Sequence, residues 1–258
     1  MKLNEEFEKT ITSEAVESWR YPRFFTENIG STVLITGNDA AHISKVLRMK
    51  RGDLAVICDG NGTDLLCRIL TVGDTAELEI LDRKPSEGEP TVRLRLFQCS
   101  PKSDKMDFIV QKAVELGAAE VIPVISKRCV SRPDPKSAEK KRERWQRIAD
   151  EAAKQCGRGK IPSVGNQLSF AEAVADFSAD IGIIFYECGG KRLNEIITSP
   201  VPGSIDVFIG SEGGFEKQEV ELAQKAGITP ATLGTRILRC ETAPVAALAV
   251  LMNLTGNM

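Results

Sequence analysis

Apolar positions between residues 32 and 81 come in short bursts separated by turn residues, the pattern of strands in a small sheet. TVLIT (32–36), LAVICDG (54–60), DLLCRIL (64–70) and AELEIL (76–81) predict four strands, and DGNG (59–62) predicts a hairpin turn. A stretch of helical period at about Asp39–Leu47 interrupts them, with Asn38 expected as its N-cap. Residues 21–84 thus predict a small β-barrel, and RKPSEGEP (83–90) predicts a linker from its proline, glycine and charge content. Residues 1–20 precede any strong pattern and are expected to form an N-terminal extension.

From 90 to 258 the period changes to alternating strands and helices. VRLRLFQC (92–99) is followed by Met106, Ile109, Val110, Ala113 and Leu116 at helical spacing, and Gly117 stops that helix. EVIPVIS (120–126) precedes a long helix striped by Trp145, Ile148, Ala149, Ala152, Ala153 and Cys156. IGIIFYE (181–187) and IDVFIG (205–210) read as buried parallel strands, each followed by a helix. Such alternation predicts an open α/β sheet that holds ligands at the carboxyl ends of its strands. The last helix, Ala243–Leu254, is apolar on nearly every face, which predicts a partner subunit covering part of it and hence a homodimer.

Composition removes several functional classes. One histidine, His42, and seven scattered cysteines without a C-x-x-C pair leave no ordinary His/Cys metal site and no histidine-based triad, so no metal is expected. Unpaired thiols, an acidic start (MKLNEEFEKT) without an apolar core segment, and a longest apolar run of APVAALAVLM (243–252) predict a cytoplasmic protein with no membrane partner. The net charge of −2 excludes indiscriminate polyanion binding. Yet residues 127–160 carry twelve Lys/Arg against five Asp/Glu, and KVLRMKR (45–51) carries four cations and no acid, a footprint suited to nucleic acid.

Three strand ends carry unusual chemistry: FYECGG (185–190), GSEGG (210–214) and LGTRILRCETA (233–243). Side by side they would form one concave polar pocket. The glycine spacing matches neither the dinucleotide fingerprint nor the phosphate loop, and the turn carries a glutamate and no phosphate-binding lysine. Thr242 is expected to cap the last helix, with Pro244 in its first turn. Capping does not explain why Arg236, Arg239 and Glu241 crowd just before it.

IGSEGGF, LGTRILRCETA, QKAVELGAAEVIPV, RWQRIADEAAKQCGRGKIP and an early RFF, taken in order over residues 21–256, resemble the bacterial RsmE family. Members of that family are S-adenosylmethionine-dependent methyltransferases acting on N3 of a uridine in 16S ribosomal RNA. The resemblance implies a PUA-like β-barrel RNA-binding domain followed by a SPOUT-type α/β trefoil-knot methyltransferase domain, assembled as a homodimer. It also implies a cofactor set of Tyr186, Glu187, Ile209, Gly210, Glu212, Gly213, Gly214, Leu233, Gly234, Ile237, Leu238 and Thr242. Two positions depart from the family pattern: Ser211 stands where it usually has proline, and Ala41-His42 where it has a histidine pair.

Methylating the uridine ring nitrogen requires loss of its proton or stabilisation of the resulting anion. Arg239 is the candidate to face the uracil oxygens, its alternative being an ion pair with Glu241 that fixes the loop. Glu241 or Glu212 is the candidate proton acceptor. Candidate RNA contacts are Arg23, Lys45, Arg48, Lys50 and Arg51 in the barrel, and Arg128, Arg132, Arg144 and Arg158 beyond it. Competing readings are a knotted methyltransferase acting on another rRNA or tRNA position, and a non-catalytic RNA-binding assembly factor.

Overall fold

Residues 21–258 are described by the computed structural model, so the expected extension at 1–20 lies outside them. They form two units. One runs to Gly88 and takes in Gly157–Lys160; the other comprises Glu89–Cys156 and Ile161–Met258.

The first unit is a five-stranded sheet in the order β1-β3-β4-β5-β2. Its strands are β1 (Arg23–Phe25), β2 (Thr32–Ile35), β3 (Leu54–Cys58), β4 (Thr63–Val72) and β5 (Ala76–Pro85). β3, β4 and β5 pair antiparallel, and register shifts at Leu66/Cys67 and Ile69/Thr71 bend β4 against β5. β5 pairs as far as Pro85, so the first residues of the expected linker are strand. The pattern of alternating burial encloses Phe24, Val33, Ile35, Ile43, Ile57, Leu65, Ile69 and Leu78. The short helix α1 (Gly37–Ala41) runs into a π-helical turn at His42–Val46. Asn38 is not its N-cap: the chain swings in through Gly37 at φ +62°, Thr36 takes the cap position, and Asn38 falls inside the first turn.

Arg23 is held within this unit. Its guanidinium donates twice to the Asp64 carboxylate at 2.6 Å and once to the Gly157 carbonyl at 3.3 Å. Gly159 accepts from the Gly62 N–H at 3.1 Å and the Cys58 thiol at 2.9 Å. The four-residue segment at 157–160 therefore closes on the barrel strands.

The second unit is a parallel sheet in the order β12-β10-β11-β6-β7-β8, with β9 also on β7. The strands are β6 (Arg93–Cys99), β7 (Glu120–Ile125), β8 (Ser163–Val164), β9 (Leu168–Ser169), β10 (Ile181–Phe185), β11 (Ser204–Ile209) and β12 (Ile228–Ala231). The helices are α2 (Lys105–Glu115), α3 (Pro135–Cys156), α4 (Phe170–Ala175), α5 (Leu193–Ile196), α6 (Lys217–Lys225) and α7 (Thr242–Leu254). Gly117 follows α2 at φ +89°, where a Cβ would meet Pro90 and Met252. One face of the sheet is filled by stacked Phe97 and Phe208 rings, 4.4 Å apart, with Phe170 and Phe215 against them.

Arg95 is a buried charge in this core. Its guanidinium donates to Asp206 at 2.8 and 2.6 Å and to Asp176 at 2.8 Å, and lies 5.0 Å from the centre of the Phe97 ring. Asp206 is 1% exposed, so removing Arg95 alone would strand a buried carboxylate, a loss of about 3–5 kcal/mol.

In α7 only one stripe is buried by its own chain: Pro244, Ala247, Leu248, Leu251 and Met252. Val250 stays 41% exposed on the opposite side. Among the described residues no helix is long and apolar enough to cross a membrane.

Candidate active site

The sheet order brings the ends of β10, β11 and β12 to one edge of the second unit, and the three glycine-bearing loops meet there. They enclose a cavity of about 560 Å³, within the range of small-molecule sites. Of the expected cofactor residues, Tyr186, Glu187, Ile209, Gly210, Glu212, Gly213, Gly214, Leu233, Gly234, Ile237 and Leu238 line it. Thr242 does not. Glu241 holds the helix-cap position, and Thr242 is the first residue of α7 with an exposed side chain and no capping bond.

The turn after β11 is shaped by close approach. Gly214 has φ +64°, its N–H donates to the Ser211 carbonyl at 3.0 Å, and a Cβ there would lie 2.6 Å from a Glu187 carboxylate oxygen. Gly213 differs: a Cβ there would meet the Arg128 side chain at 2.9 Å. Arg128 donates to the Gly213 carbonyl at 2.9 Å and stands 3.8 Å from Glu187, so it anchors the turn. Ser211, in the family's proline position, is buried, and its hydroxyl is fully enclosed by the protein rather than open to the cavity.

Lys105, one position before the apolar stripe that begins at Met106, is a residue that sequence reasoning missed. Its ammonium lies 3.1 Å from Glu212, 3.1 Å from Glu241 and 3.6 Å from the Cys240 sulfur. Hydrogen bonds to Glu212 and Glu241 raise the Lys105 pKa. Burial pushes the Glu212 carboxyl up, but its own backbone N–H, Lys105 and the Lys102 N–H outweigh this and leave it below the usual carboxylate range. Glu241 is also lowered, by its own backbone N–H and by Lys105. Arg239 lines the same cavity and is exposed, and it makes no ion pair among the described residues. Its expected alternative partner, Glu241, is taken by Lys105.

A family model described as an RNA methyltransferase domain matches residues 88–252, and one described as an RNA methyltransferase PUA domain matches 35–81. The chain is 36% identical over 231 residues to the Ribosomal RNA small subunit methyltransferase E of Bacillus subtilis, covering 85% of this chain and 89% of that one. The chain belongs to the RsmE family. Solved RsmE-like structures superpose closely. A Ribosomal RNA small subunit methyltransferase E from Neisseria gonorrhoeae, bound to S-adenosyl methionine, matches with a TM-score of 0.83 at 34% identity, over 91% of this chain and 98% of that one. The Legionella pneumophila putative methyltransferase Lpg2936, in complex with SAM, gives a TM-score of 0.82 at 28% identity, over 91% and 98%.

The RNA-contact candidates of this RsmE chain divide sharply. Lys45, Arg48, Lys50 and Arg51 are exposed and make no ion pairs among the described residues. Arg48 holds φ +53°, unusual for a residue with a side chain. Arg23 is engaged by Asp64, and Arg158 is only 4% exposed, so neither presents a free cation. Arg132 donates to the carbonyls of Ser126, Lys127 and Cys129, fixing its own loop. Arg144 pairs with Asp107 and Asp104 on and beside α2. The sequence marked these arginines by charge, and charge does not reveal an internal partner.

Proposed function

We propose that this RsmE-family chain methylates N3 of a uridine in 16S ribosomal RNA using S-adenosylmethionine, as a cytoplasmic homodimer. The observation that carries the reading is the single cavity into which three separate loops bring eleven of the twelve expected cofactor residues. The residues fit that ligand. The tight Gly210–Gly214 turn presents backbone groups rather than bulky side chains to the cavity. Glu187 and Glu212 supply carboxylates beside the cavity for a cationic sulfonium. When bound, the cofactor supplies an electrophilic methyl group.

The chain's own residues supply position and charge. Arg239, unpaired at the cavity wall, is placed to hold the negative charge that develops on the uracil oxygens as the ring nitrogen gives up its proton. Glu212 and Glu241 are held as carboxylates by Lys105, so in this reading they act as fixed charges; a carboxylate with a lowered pKa is a poor proton acceptor. The test is methyl transfer from labelled cofactor to unmodified small subunits and to free 16S rRNA, followed by nucleoside analysis. Absence of 3-methyluridine from both substrates rejects the reading, and calorimetry with the cofactor separates a dead pocket from a wrong target.

Lys45, Arg48, Lys50 and Arg51 are exposed cations of the barrel without ion pairs among the described residues, and they carry its part of RNA binding in this proposal. Replacing Lys45 and Lys50 with alanine is expected to reduce the slope of log affinity against log salt by about 1–2, as counterion release predicts for two lost phosphate contacts. Fluorescence anisotropy on an rRNA fragment over a salt series reads it; an unchanged slope moves the RNA face elsewhere.

The dimer proposal rests on the exposed apolar side of α7. Leu248 is fully buried by its own chain, so its substitution would test the fold; Val250 is the informative position. Val250→Glu should convert the dimer to a folded monomer in sedimentation velocity. A wild-type chain that sediments as a monomer at micromolar concentration would sink the proposal.

A further inference from the structure

We propose that Lys105 is a positioning residue that clasps two walls of the cavity together and holds Arg239 in place; the inference rests on that cavity being the cofactor site. Lys105 is the first residue of α2, where the positive end of the helix dipole disfavours a cation. Something must compensate it. Two carboxylates from other parts of the chain do so: Glu212 from the turn after β11 and Glu241 from the far end of the loop after β12. Glu212 also accepts the Lys102 N–H at 3.1 Å, which ties the same turn to the approach of α2.

The ammonium is saturated. Its three protons face three acceptors: Glu212, Glu241 and the Cys240 sulfur. None remains for a phosphate or a substrate oxygen, so Lys105 acts through the residues it holds. Cys240 is fixed in the same cluster, its thiol donating to Glu241 at 3.2 Å, and burial together with that contact pushes it up to about 12.

The sheet explains why a clasp is needed. β11 and β12 are not neighbours, because β10 lies between them, so no strand ladder joins their loops. Thr232 N–H donates to the Lys191 carbonyl at 3.0 Å where the loop begins. Beyond that point the loop at 232–241 is held by bonds within itself, from Gly234 N–H to Thr232 and from Thr242 N–H to the Arg239 carbonyl. Gly234, Thr235, Arg236 and Ile237 are all exposed. Glu241 and Cys240 are the points at which this loop meets α2 and the glycine turn, and Arg239 is the residue next to them. Loosening that point would widen the cavity and free Arg239 together.

The experiment measures hydrogen exchange of the 232–241 segment without cofactor, and S-adenosylmethionine affinity, kcat and KM with it, for wild type, Lys105→Met, Lys105→Arg and Glu241→Gln. Lys105→Met should speed exchange in that segment and weaken cofactor binding about tenfold, with a smaller loss in kcat. Lys105→Arg should recover most of the affinity, since an arginine can span the same two carboxylates. Glu241→Gln should resemble Lys105→Met, and the double variant should be little worse than either single one. Wild-type exchange and affinity in Lys105→Met, or losses that simply add in the double variant, overturn the clasp. Should Lys105→Met fail to fold, Glu241→Gln with Lys105→Arg decides the same question. A wild type that binds no cofactor would reject the proposed function, while exchange in the 232–241 segment would still judge the clasp.

Discussion

Arg239→Ala is expected to slow methyl transfer by about 10²–10³-fold while leaving the cofactor dissociation constant within about twofold, the signature of lost transition-state charge stabilisation. The expectation follows from geometry: Arg239 lines the cavity, is exposed, and has no carboxylate partner among the described residues. An arginine whose charge is not neutralised by the protein is available to a developing anion. One committed to Glu241 would have been a structural pin, but that carboxylate belongs to Lys105. Arg239→Lys keeps the charge and loses the planar fork, so its turnover should fall between alanine and wild type. Single-turnover transfer measured beside calorimetric affinity separates the two effects, and wild-type turnover in both variants removes Arg239 from catalysis.

Gly214→Val should reduce cofactor affinity at least about a hundredfold, because two penalties fall on one residue. A β-branched side chain at φ +64° sits in the left-handed region that such residues rarely enter. Its Cβ would also lie 2.6 and 2.7 Å from the two Glu187 carboxylate oxygens, forcing that side chain out of the cavity wall. Gly234, also in the cavity wall, gives a contrast within the fold: it holds φ +108°, yet a Cβ there meets no protein atom within 4 Å. Gly234→Ala thus brings backbone strain of about 1–2 kcal/mol without an internal clash and should cost less affinity than Gly214→Val. Titration calorimetry, with a thermal melt to show that each variant folds, checks the contrast. Equal affinity for Gly214→Val and wild type would place the ligand away from this turn.

What the sequence disclosed was local. The apolar spacing of α2 and its end at Gly117, the Trp145 stripe of α3 and the apolar runs of β6, β10 and β11 were all legible, because each is set by neighbours a few residues away. The glycine loops were legible as a group, since three strand ends of a parallel sheet converge by topology. The three-residue β1 was not, because its pairing of Arg23 with Val56 is long-range and too short to show a period. Nor was the π-helical turn after Ala41, which shares its side-chain pattern with an ordinary helix. Lys105 escaped because its meaning lies in Glu212 and Glu241, more than a hundred positions away. Thr242 was misplaced by one position at a helix start, where Glu241 takes the cap. The trefoil knot entered only through family resemblance, as periodicity carries no record of threading.

The bonds from Cys58, Gly62 and Arg23 to residues 157–159 bear on the order in which a ribosome can deliver this molecule. When Gly88 leaves the exit tunnel, every strand of the barrel has been made, but the segment that closes on it has not. At typical synthesis speeds of about 5–20 residues per second, the wait for that segment lasts on the order of several seconds. During that interval the Asp64–Arg23 pair lacks its carbonyl neighbour and the Cys58 thiol its acceptor. The amino-terminal unit thus finishes folding only after much of the carboxyl-terminal one has been synthesised, and a chain cut after Gly88 would be missing a piece of its own barrel.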